Sequence, residues 1–144
     1  MAISTRPLEG SAIEAWIEKA SDNAISFQDK NISIFIHVLI DYEDNFFTAH
    51  CLELDIAVDG NSVENAKENC INAIVNHISF CLATENTDKI LNPAPKEYWQ
   101  EYYFGSLHRD KFQFPADYKY KYIDLPFMHK IIKGIEFGCQ KAYA

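Results

Sequence analysis

From Asn31 to Ile40 the chain reads NISIFIHVLI, and Ile32, Ile34, Ile36, Val38 and Ile40 recur at every second position. That alternation predicts a strand with one wholly aliphatic face. The intervening Ser33, Phe35, His37 and Leu39 are only partly apolar, so the second face is expected to be half covered. Asp41 to Asn45 supplies turn-forming residues. A second strand is predicted over Phe46 to Leu52 and a short third over Ile56 to Val58, with Glu53-Leu54-Asp55 as a bend between them. Connections this short predict an antiparallel meander.

Beyond Gly60 the period changes. Val63, Ala66, Cys70, Ala73, Ile74, Ile78 and Cys81 follow helical spacing over Val63 to Ala83. Asn61 or Ser62 is suited to cap this helix, and Glu64 sits in its electropositive first turn. Its apolar stripe is expected to lie across the meander.

The flanks are less regular. Leu8 to Ala20 has a stripe of Ile13, Trp16, Ile17 and Ala20 behind a Ser11/Glu14 capping box, predicting a short amphipathic helix. Ala83 to Lys89 is a polar loop, and Asn92 to Pro95 a stiff linker. Pro95 to Phe104 suits a short aromatic helix with proline at its start. His108 to Lys111 reads as a charged loop and Tyr118 to Asp124 as a strand with Lys119 and Lys121 on one face. Phe127 to Phe137 is expected to be a short helix interrupted at Gly134. The expected fold class is α+β: an antiparallel three- to four-stranded sheet with one long helix packed on it, plus short N- and C-terminal helices. Residues 1–144 form one domain in this reading, with a core over 31–83, a helical extension over 1–30 and an aromatic-rich extension over 92–144.

Composition narrows the function classes. With 144 residues, 48% of them hydrophobic, the chain is large enough to bury a core without disulfides or metal. A net charge of -8 argues against a broad phosphate-binding surface, so nucleic acid is not the expected partner. No run approaches the roughly 20 apolar residues of a membrane span, and no secretory signal pattern opens the chain; a cytoplasmic location is expected. Cys51, Cys70, Cys81 and Cys139 include no CxxC pair. Cys70 and Cys81 lie about 16 Å apart along one helix, too far to be bridged, so free thiols are expected.

The run from Tyr42 to Phe80 resembles the HicB-like family of small bacterial proteins. The similarity rests on an acidic turn after the first strand and on Cys51-Leu52-Glu53-Leu54. Ile56-Ala57-Val58 then leads to Gly60-Asn61-Ser62-Val63-Glu64-Asn65-Ala66, which opens the long helix. The resemblance implies a three-stranded antiparallel sheet with one long helix and a further strand, a partial ribonuclease-H-like fold. Family members with a C-terminal DNA-binding segment resemble antitoxins that block a small RNA-cleaving toxin. Here the family's proline is absent from the Cys51-Leu52-Glu53 element. Lys130 and Lys133 on an apolar body do not make a recognition helix.

The acidic residues Asp41, Glu43, Asp44, Glu53, Asp55 and Asp59 surround the predicted hairpin. Complementary charge steers protein association, so Tyr42, Glu43, Asp44, Glu53, Leu54 and Asp55 are the expected contact residues for a protein partner, a small basic toxin in the family reading. The competing reading is a metal-dependent ribonuclease-H-type nuclease using Asp41, Glu64 and Glu68, which requires carboxylates converging on two ions. A third is an orphan structural or oligomerisation domain. His77, Cys81 and Cys70, with His50-Cys51, have zinc-capable side chains, but the helical stripe makes a buried core the plainer reading. His108-Arg109-Asp110 lacks every companion motif of a kinase. Tyr98, Trp99, Tyr102 and Tyr103 are read as core or subunit interface rather than a base-stacking platform, because Glu97 and Glu101 adjoin them. The expected protein is therefore a non-catalytic binding or regulatory protein, a homo-oligomer with no metal and no cofactor.

Overall fold

The computed structural model describes residues 33–120, 123–125 and 127–143. The helix expected over Leu8 to Ala20 lies outside them. Three strands come first: β1 (Ile34–Glu43), β2 (Phe46–Cys51) and β3 (Ile56–Gly60). They form the expected meander, with Leu39 opposite His50 and Ala49 opposite Val58. β1 runs on through Asp41 and Glu43, so the first turn is only Asp44-Asn45. Both residues have positive φ, 53° and 68°, the geometry whose twist matches a tight hairpin and which Asp and Asn tolerate.

Helix α1 (Val63–Ala83) covers the face formed by Ile34, Ile36, Val38 and Ile40. Ser62 caps it, its hydroxyl accepting from the Asn65 N–H at 3.0 Å. Ala66, Cys70, Ile74, Ile78 and Cys81 are buried against the sheet. Gly60 makes the close strand-to-helix corner possible: a Cβ there would lie 2.3 Å from the Ala66 backbone nitrogen.

The remaining elements are α2 (Lys96–Phe104), β4 (Leu107–Phe112), β5 (Lys119–Tyr120), β6 (Ile123–Asp124), α3 (Met128–Ile131) and β7 (Ile132–Gln140), with single 3₁₀ turns at Thr87–Lys89 and Lys141–Tyr143. Here the architecture departs from expectation. The sheet is mixed and five-stranded, in the order β3-β2-β1-β7-β4, and β7 runs parallel to β1. The run expected as a C-terminal helix forms one helical turn and then β7. From Gly134 onward its residues alternate, with Ile135, Phe137 and Cys139 buried on the α1 face and Glu136 on the other. Pairing with the free edge of β1 favours strand over helix there. β1 thereby has a neighbour on each side and is a central strand; the apolar residues on its two faces are covered by α1 and by α2.

His108 to Lys111 belongs to β4, not to a loop. Charged residues are tolerated at a sheet rim, where they discourage further pairing. The single strand expected over Tyr118 to Asp124 is instead the small β5-β6 hairpin, Lys119 facing Asp124 in register. Pro95 precedes α2 at the N-cap position rather than the first helical one.

Candidate functional site

Between Asn31 and Ala66 the sequence contains no Lys or Arg. Its carboxylates from Asp41 to Asp59 lie on β1, on β3 and in the turns at the two ends of β2, making this half of the sheet acidic. The expected contact residues divide into two groups. Tyr42, Glu43 and Asp44 stand at the tip of the β1-β2 hairpin. Glu53, Leu54 and Asp55 form the bend at the other end of β2, a six-residue strand spanning about 20 Å.

At the tip, Tyr42 is 44% and Phe46 52% exposed. Tyr42 leans on Phe47 and Tyr143, with ring centroids 4.9 and 5.4 Å away. Glu43 and Asp44 are exposed, and neither pairs with a cation among the described residues. At the bend, Leu54 is buried in the core beneath α1. Glu53 turns inward: one oxygen accepts from the His37 backbone N–H at 2.7 Å and the other lies 2.6 Å from the ring Nδ1. Asp55, at φ 52°, is exposed and meets His50 Nε2 at 2.7 Å. Only Asp55 of this trio presents itself to solvent, and the other two hold the bend together.

Glu53 belongs to a cluster that the sequence did not reveal. Phe35, His37, Leu39 and Asp41 face away from α1, and α2 lies over them. Tyr102 is its anchor, 1% exposed, its hydroxyl donating to the Glu136 carboxylate. Burial, then the Glu136 carboxylate, raises the Tyr102 pKa far above the ordinary phenol value, so it remains a donor. Arg109 donates to the Tyr102 carbonyl at 2.6 Å, lies 5.1 Å from its ring centroid and approaches Glu136 at 3.6 Å. The imidazole of His37 is surrounded by the rings of Phe35, Trp99, Tyr102 and Tyr103, 5.1 to 6.0 Å away. One sequence signal pointed here. Gly134, Glu136 and Gly138 share a strand face, and glycine inside a strand often marks close approach. A Cβ on Gly138 would fall 2.8 Å from the Tyr102 ring.

The nuclease carboxylates do not converge. Asp41 lies on the α2 side of the sheet, whereas Glu64 and Glu68 are on α1 across it. Among the described residues no group of three or more His, Cys, Asp and Glu side chains is placed to hold a metal ion. His77 is a buried core histidine, its Nε2 3.1 Å from the Ile90 carbonyl and 3.8 Å from Cys81. All four cysteines are unpaired and buried. Burial pushes the Cys70 thiol up to about 12 and, with Asp88 adding, Cys81 to about 11, so neither offers the thiolate that metals and electrophiles need. No helix among the described residues is long and apolar enough to cross a membrane.

An open groove runs between α1 and β4, with two cavities of about 460 and 380 Å³ that share Glu64, Lys67 and Asp110. Lys67 spans it, 3.0 Å from Asp110 and 3.4 Å from Glu64, above the Phe137 ring. The one lysine is shared between the two carboxylates. Comparison with protein-family models, with curated proteins and with solved structures finds no match to this chain.

Proposed function

We propose that this chain is a non-catalytic binding protein of the HicB antitoxin type, which occludes a small basic protein through the acidic half of its sheet. The observation that carries the reading is the hairpin tip. Two carboxylates with no cationic partner among the described residues, Glu43 and Asp44, stand there between two exposed aromatic rings, Tyr42 and Phe46. Unpaired rim charge steers a partner of opposite sign, and exposed aromatics supply contact area once it arrives. The order of three antiparallel strands, a capped long helix and a further strand beside β1 also agrees with the resemblance. The accessible contact set is narrower than the sequence suggested: Tyr42, Glu43, Asp44, Phe46 and Asp55, with Glu53 and Leu54 supporting them from inside. Among the described residues no three carboxylate, histidine or cysteine side chains converge as metal-assisted hydrolysis requires.

The test is affinity capture from the source cells by the native protein and by a Glu43→Gln/Asp44→Asn variant. The reading expects a low-mass basic protein whose recovery falls at least severalfold with the variant and with added salt. Capture of no such protein, or equal capture by both forms, overturns it.

A further inference from the structure

We propose that the outer edge of β3 receives an extended, basic segment of the partner as an additional strand. This inference rests on the basic-partner reading above and assigns it a mode of contact. Leu52 N–H donates to the His37 carbonyl at 2.9 Å. Alternation along an antiparallel ladder then directs the backbones of His50, Thr48 and Phe46 toward β1, and those of Cys51, Ala49 and Phe47 toward β3. Their β3 partners are Ile56, Val58 and Gly60. Ala57 and Asp59 consequently point their N–H and C=O groups away from the sheet. Asn69 Nδ2, which reaches the Asp59 carbonyl at 2.9 Å, agrees with that direction. The Ala57 N–H, the Ala57 carbonyl and the Asp59 N–H meet no described residue.

The two rims of the sheet are defended differently. β4 carries His108, Arg109, Asp110 and Lys111, the charged kind of edge that resists strand addition. β3 reads Ile-Ala-Val-Asp-Gly, with no Lys, Arg or Pro. Ile56 and Val58 on one side of it are half-buried, whereas Ala57 and Asp59 are exposed. An added strand would therefore place aliphatic side chains beside Ile56 and Val58, and alternate cationic side chains on the face of Asp59, near Asp55. Charge selects the occupant. Among the described residues β1, β2, β3 and the turns between them carry no Lys or Arg, so a second copy pairing through β3 would set acidic rim against acidic rim. An alternating basic and aliphatic segment satisfies both sides of the strand together with its open backbone groups.

The probe is a short peptide alternating lysine and valine, compared with the same peptide N-methylated at alternate residues so that one edge cannot hydrogen-bond. Binding by titration calorimetry is combined with amide exchange of the native protein. The proposal expects the plain peptide to slow exchange at Ala57 and Asp59 and the methylated one to bind at least about tenfold more weakly, a difference near 1.4 kcal/mol. Ala57→Pro, which removes only an outward N–H, is expected to weaken plain-peptide binding similarly while leaving the thermal midpoint near that of the native protein. Equal affinity for the two peptides overturns the proposal, and that comparison stands even where the proline variant fails to fold. Sedimentation that shows a dimer dissociated by Ala57→Pro assigns the edge to a second copy and also overturns it. Equal peptide binding by native and Ala57→Pro protein, lost in Glu43→Gln/Asp44→Asn, removes the edge mode but keeps the acidic docking surface. Absence of any binding to basic peptides removes both.

Discussion

Strand β1 serves two unlike faces of one sheet. Toward α1 it presents Ile34, Ile36, Val38 and Ile40, all buried among aliphatic and thiol side chains. Toward α2 it presents Phe35, His37, Leu39 and Asp41, where burial is shared with ion pairs, ring edges and a phenol-carboxylate hydrogen bond. The first face depends on non-directional burial, which tolerates sliding and repacking provided volume is conserved. The second depends on partners placed at hydrogen-bond distance, so losing one partner strands another. The α2 face is therefore the one that fixes the bend at Glu53, and with it the position of Asp55 at the acidic rim.

Truncation on each face separates these two kinds of stability. Ile36→Ala removes fully buried methyl groups beneath α1 and is expected to cost about 2–5 kcal/mol, because the site cannot collapse completely. Chemical denaturation measures it, as a lowered midpoint with an unchanged slope; a loss below about 1 kcal/mol would show that the α1 face repacks freely. Tyr102→Phe keeps the ring in its glycine-floored slot and deletes only the hydroxyl. The Glu136 carboxylate, 18% exposed, is then left with Arg109, and the expected cost is about 1–3 kcal/mol. A cycle with Glu136→Gln sharpens the assignment: the double variant should lose less than the sum of the singles. Strict additivity would mean that the hydroxyl and carboxylate act independently.

The same contrast explains what could be read from the sequence. Hydrophobic burial leaves a periodic trace, so the aliphatic alternation expected over Asn31 to Ile40, the corner at Gly60 and the helix from Val63 to Ala83 were legible, the helix with its bounds, whereas the strand runs on to Glu43 through residues expected as a turn. The meander was legible because short turns restrict which strands can pair. β7 was not, since Phe127 to Phe137 contains apolar residues at both helical and strand spacings, and what decides between them is the unpaired edge of β1 about a hundred residues earlier in the chain. β4 was hidden because its charges are those of a rim. Of the expected contact residues, Glu43, Asp44 and Asp55 are exposed, as acidic side chains are expected to be. Glu53 turns inward instead, to His37, which lies 16 positions away and is brought there by strand register. Periodicity records which face a residue takes, and leaves unrecorded which polar side chain it meets there.

The smallest effect comes from two carboxylates whose ionisation is shifted in opposite directions. Asp110 sits below its ordinary value of 3.8, chiefly through the hydrogen bond from Lys67. A lowered acid contributes stability that is present above its unfolded value and lost as pH falls. Glu101, on α2, is held above its ordinary value of 4.5, first by burial and then by the charge of Asp41 and a hydrogen bond with it. A raised acid contributes in the opposite sense: its stabilisation is complete below the unfolded value and disappears as pH rises through the folded one. Glu101→Gln is therefore expected to raise the thermal midpoint at pH 7 and to flatten its dependence on pH just above 4.5, whereas Asp110→Asn should lower the midpoint at pH 7. Both groups are exposed, so each change should stay within about 0.5 kcal/mol. Thermal melts from pH 3 to 8 read both signs. If Glu101→Gln destabilised the protein at neutral pH, its carboxylate would be serving as an acceptor over the α2 face rather than repelling Asp41, and the two-face comparison would need a further ion pair there.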